Sequence, residues 1–259
     1  MSLHDAYARI TPYELAFRDR STAEDLVAQI DDEAAGSGAD PHDPHAFLTM
    51  GSVGAFIRGL EEPGAPPGSV YHLGALVYHG VHFTRAGCPL YLLTTAAARH
   101  LVEGSPDGSP EPTTPAGYLQ LPQHLFWAEN TEATPESVDG LFWTVTDAGV
   151  LHSMIVTGMR ADRPGLDVIP LPEALLPEAE TWLTAQLRED GRDFASTLPG
   201  SELDALYSFQ TAGEVLKLLA RFFAYVERTP AVLQPMDSTR SDEGPAPSML
   251  HFGRVTLDG

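Results

Sequence analysis

The chain is poor in the residues that advertise chemistry. It has one cysteine, Cys88, so no intrachain disulfide and no cysteine-based zinc site can form. It has one lysine, Lys217, among 15 basic residues. It lacks the Gly-Lys-Ser/Thr ending of a phosphate loop, the third glycine of a dinucleotide fingerprint and the Gly-x-Ser-x-Gly of a nucleophile elbow. No run approaches the ~18 apolar residues of a membrane-spanning helix. The first residues, MSLHDAYARITPYELAF, carry no basic stretch followed by an apolar core, so no signal peptide is expected.

Acids outnumber bases 36 to 15, for a formal net charge of −21. Like-charge repulsion disfavours nucleic acid and anionic membrane as partners. The acids are dispersed, with Asp31-Asp32-Glu33 the longest run, so most are read as a solvated surface. A basic or amphipathic protein is the partner this balance admits. Arginine in place of lysine, with many Ala, Gly and Pro, points to a GC-rich bacterial source, and the cytoplasm is the default compartment. Hydrophobic content of 43% is enough for a packed core.

The expected fold is α+β in one domain spanning residues 1–259. Its centre is an antiparallel meander within 118–169, built from Leu141–Thr146, Val150–Met159 and Leu166–Ile169, with turn residues Asp147-Ala148-Gly149 between the first two strands. Helices over 177–189 and 201–228 pack on it. In the second, Val215, Leu218, Leu219, Phe222, Phe223 and Val226 form an apolar stripe, and Thr211-Ala212-Gly213-Glu214 suggests a break and restart. N-terminal helices form a second layer. One begins at the capping box Ser21 to Glu24 and stops at Gly36; another starts with Asp43 as cap and Pro44 at the first helical position. Its glycines, Gly51, Gly54 and Gly59, imply close packing or a change of element. Residues 1–20 read as a short strand or an extended arm. Val70 to Phe83 is rich in β-formers and reads as one strand or two. Residues 104–117, with four prolines and no large apolar residue before Tyr118, read as an internal linker or surface loop. Residues 235–247 are expected to be disordered, and 250–257 to add a final strand at a sheet edge.

Function is not written in a motif. On a single strand His72 and His82 would share a face and His79 would point the other way, and no pair has the spacing of a metal site, so no metal and no cofactor are expected. His42, Asp43 and His45 sit together in a turn but need partners from elsewhere. Cys88 before an apolar strand reads as a small buried hydrophobe. The candidate binding residues are Trp127, Glu129 and Tyr118, where the strand pattern meets a polar loop. The leading expectation is a non-catalytic interaction or accessory protein. Two alternatives stand beside it: a hydrolase-type enzyme in which at least two of His72, His79, His82, Asp139 and Glu129 converge, and a small-molecule module lined by Trp127 or Tyr118.

Overall fold

The computed structural model describes residues 12–17, 20–60, 69–103, 111–129, 135–157, 167–175, 202–235 and 251–255. The chain opens on a short helix, α1 (Pro12–Ala16), where a strand or arm was expected. Proline at the first helical position needs no amide partner and presets the backbone. Helix α2 (Arg20–Ser37) follows, one residue ahead of the anticipated cap, with Ala23, Leu26 and Ile30 buried at helical spacing. It ends at Gly38 rather than Gly36: Gly38 takes φ +74 and its amide donates to the Ala34 carbonyl at 2.8 Å.

Helix α3 (Pro44–Thr49) starts as the sequence indicates, with the Asp43 side chain accepting from the His45 amide at 3.0 Å. The helical pattern then breaks at Met50, whose ψ of 137° is extended, and restarts as α4 (Gly51–Leu60). Glu33 caps that restart across the fold. Its two carboxylate oxygens accept from the amides of Gly51 (2.6 Å) and Ser52 (3.0 Å) and from the Ser52 hydroxyl (2.8 Å). These bonds, the Ser52 amide first, hold the Glu33 carboxyl below its ordinary pKa.

Residues 70–83 correct the sequence reading. They form one helix, α5 (Ser69–Arg85), not a strand or a pair of strands. Every residue from Leu76 to Phe83 is buried. A helix enclosed on all sides shows no amphipathic period, and a continuous apolar run rich in Val and Tyr then looks like a buried strand.

After α5 come β1 (Pro89–Leu93), α6 (Thr95–Glu103), β2 (Ala116–Gln120), β3 (Trp127–Glu129), β4 (Pro135–Val145), β5 (Val150–Thr157) and β6 (Asp167–Leu175). The chain continues with α7 (Glu202–Arg228), a 3₁₀ turn (Pro230–Val232), β7 (Leu233–Pro235) and β8 (His251–Val255). The strands join in the order β6-β5-β4-β2-β1-β8-β7, with β3 paired to β4. The meander β4-β5-β6 is antiparallel, as expected. The sheet as a whole is mixed, because β1 runs parallel to both β2 and β8. A parallel neighbour needs a crossover, and the helix α6 between β1 and β2 provides it. Strand β8 does not close an edge: it lies between β1 and β7. β1 and β2 pair directly, and β2 begins at Ala116, so the last two residues of the expected linker 104–117 are strand. The expected helix 177–189 and residues 236–247 fall outside the described residues.

Alternation along the strands separates two cores. Leu119, Leu141, Trp143 and Ile155 face α6 and α7, against Leu101, Leu219, Phe222 and Phe223. Tyr118, Phe142, Met154 and Val156 face the other way, against Leu76, Val77, Val81 and Phe83 of α5, behind which lie α1 to α4. The result is three layers: N-terminal helices, sheet, and α6 with α7. Helix α7 is continuous through Gly213, where a break was anticipated.

Candidate functional site

Two places in this frame gather groups with chemical potential. The first is the seam between α5 and the sheet. Helical geometry puts His79 and His82 three residues apart, on neighbouring positions of one face. Both rings pack on Tyr78, with centroids 5.2 Å and 4.7 Å away. His152 of β5 approaches the same tyrosine at 5.8 Å, and His42, from the turn before α3, lies 4.6 Å from His82. Polar bonds fix the arrangement. Nδ1 of His79 and Oγ1 of Thr144 are hydrogen-bonded at 3.1 Å; Nε2 of His82 donates to the Pro41 carbonyl at 3.1 Å; the Tyr78 hydroxyl donates to the His42 carbonyl at 2.8 Å. The turn, α5 and two strands are thus tied together by one cluster.

His79, His82 and His152 are buried. Loss of hydration pushes the His79 pKa well below its ordinary value, with His82 and His152 adding to the effect. His82 is pushed down to about 3, by burial first and then by the charges of His42, Arg85 and His152. His79 and His82 are therefore neutral at physiological pH. The charges named as acting on these two rings, His42, His82, His152 and Arg85, are cations or become cations, and each disfavours the protonated form.

The second place is the start of β3. Trp127 is 36% exposed, and its ring stacks on that of His124 with centroids 5.1 Å apart and planes at 24°. His124 holds a left-handed backbone, φ 64°, uncommon for a residue with a Cβ, and its amide donates to Ser137 Oγ at 2.8 Å. Leu125 and Phe126 pack on the core and Ala128 is buried, so the exposed indole projects from an anchored segment. Glu129 ends β3, paired with Pro135 of β4.

The residues singled out in the sequence separate accordingly. His79 and His82 converge, while His72 lies two turns earlier on α5 and is half-buried. Asp139 is buried in β4, where its carbonyl accepts from the Leu121 amide. Tyr118 sits in the core with its ring centroid 4.6 Å from that of Phe142. Cys88 is buried. Among the described residues no group of three or more His, Cys, Asp or Glu side chains is placed to hold a metal ion. Sequence reasoning missed Tyr78, Thr144 and His152. A helical reading of residues 70–83 would have paired His79 with His82, but nothing local links them to the distant strands.

No family model matches the chain, and no curated protein matches it. Among solved structures it is similar to AcrVA2, with a TM-score of 0.42 and 11% identity over 94% of this chain and 81% of that one. So slight a likeness transfers neither a fold nor a role. No described helix is long and apolar enough to cross a membrane.

Proposed function

We propose that this is a non-catalytic interaction protein that engages a basic protein partner at the Trp127–Glu129 end of β3. The observation that carries the reading is Trp127 itself, an exposed indole braced by His124 and strand pairing, in a chain of net charge −21. Tryptophan is the side chain most often found as an interface anchor, and an acidic surface steers basic partners toward it. Among the described residues the other large apolar side chains exposed to a similar degree are Leu48 and Val102, on α3 and α6. With single residues on separate elements rather than one broad apolar patch, the grip comes from charge plus an aromatic anchor. That favours a basic partner over an amphipathic one. The test is affinity capture from the source cells followed by direct titration of the captured protein. The reading expects a basic partner, weaker binding at higher salt, and at least about a tenfold loss of affinity with Trp127→Ala. A partner bound equally well by that variant, or insensitive to salt, would overturn it.

One observation favours the hydrolase alternative: His79 and His82 do meet. Their burial, which leaves both rings neutral and out of reach of solvent, counts against it. Turnover of a panel of ester and phosphoester probes, abolished by His82→Ala in a folded variant, would raise it above the first reading.

A further inference from the structure

Four histidine rings and Tyr78 occupy the seam where the N-terminal helical layer meets the sheet. Each element crossing the seam contributes: His42 from the turn, His79 and His82 from α5, His152 from β5, with Thr144 of β4 bonded to His79. The opposite face of the sheet, packed by α6 and α7, is built from apolar side chains and has no such cluster among its described core residues. The two faces therefore differ in what acid can do to them.

We propose that this seam is an acid-operated latch: protonation of His79 and His82, packed among Tyr78, His42 and His152, separates α5 and the turn before α3 from the sheet, while the sheet stays packed on α6 and α7. A charged imidazole here would meet other imidazoles and an arginine at close range. Arg85, in the last turn of α5, is already positive and is paired with Asp31 of α2. In the turn, Asp40 and Asp43 accept from the backbone amides of His42 and His45. On α1, Tyr13 accepts from the Thr84 hydroxyl; β2 contributes Tyr118; β6, which also packs on α5, carries Asp167 and Glu173. On α3 and α4 the charged groups are His45 and Arg58.

The direction follows from linkage. A histidine whose folded pKa lies below its ordinary 6.5 binds fewer protons folded than unfolded across the interval between them. Stability at the seam is complete above about pH 6.5 and is lost progressively as the pH falls toward 3.

Segment-resolved hydrogen exchange of the full chain, corrected for the intrinsic pH dependence of exchange, tests the latch. Between pH 7 and pH 4.5, residues 41–49 and 69–85 are expected to lose at least about tenfold in protection, while residues 213–228 hold theirs within about threefold. In His79→Gln/His82→Gln the opening should move down by about one pH unit. Uniform loss over both layers, no loss down to pH 4.5, or an unshifted midpoint in the folded variant would overturn the proposal. If the double variant does not fold, His82→Gln alone replaces it and faces the same outcomes.

Discussion

Glycines that look alike in the sequence have opposite roles in the fold. A Cβ on Gly140 would lie 2.5 Å from the Leu119 carbonyl oxygen and 2.5 Å from the Tyr118 hydroxyl. The oxygen belongs to the β2 backbone beside the register shift in β4 and cannot retreat without disturbing the ladder. Gly140→Ala is therefore expected to cost about 3 kcal/mol, read from the urea midpoint. Among the described residues Gly54 in α4 meets only Arg58 Nη1, at 3.5 Å, and none lies within 4 Å of a Cβ on Gly59. Gly54→Ala should raise stability by up to about 1 kcal/mol, since alanine suits a helix better. Of the two expectations for these glycines, close packing or a change of element, the described neighbours of Gly54 and Gly59 give no close packing and the chain changes element at Met50–Gly51; only three-dimensional neighbours distinguish them from Gly140. The same holds for the candidate residues. Trp127 and Tyr118 are both aromatics of the β region, yet one is exposed and the other packs on Phe142.

At the level of elements, legibility followed amphipathicity. The second half of α7 has one apolar stripe and one polar face, and every residue of the stripe its spacing indicates is buried, with Leu216, Ala220 and Ala224 beside it. Phe222, fully buried, lies 5.3 Å from the Tyr91 ring and 6.1 Å from that of Trp143. Phe222→Ala should cost about 3–5 kcal/mol in chemical denaturation, through lost burial and the cavity left between helix and sheet. Helix α5 was illegible for the opposite reason: helices on one side and the sheet on the other leave it no polar face to reveal a period. That single misreading also hid the histidine cluster, because strand geometry sets His79 opposite His82 whereas a helix makes them neighbours. Short turns in β4-β5-β6 advertised an antiparallel meander, but nothing local in residues 251–255 says that they pair with β1 rather than lie at an edge.

For the molecule as a whole, charge opposes compactness. With 36 acidic and 15 basic residues, folding concentrates an excess of like charge that dilute salt screens within about 10 Å. Raising sodium chloride from about 10 mM to about 200 mM should lift the melting temperature by a few degrees, corresponding to roughly 1 kcal/mol. A flat or falling melting temperature would mean that the acids are paired rather than repelling. The three-layer plan carries a different consequence for the order in which the chain can assemble. Pro89 pairs with His251 and Leu93 with Val255, so a strand of the sheet interior is completed by residues translated long after it. During synthesis β1 can take β2 as its neighbour early, but its other side keeps unpaired amides and carbonyls until residues 251–255 have left the ribosome. An open strand edge recruits other chains, and a pairing of such long sequence separation closes slowly. Expression of this protein should accordingly be most vulnerable to aggregation late in elongation, at the side of β1 that β8 will cover.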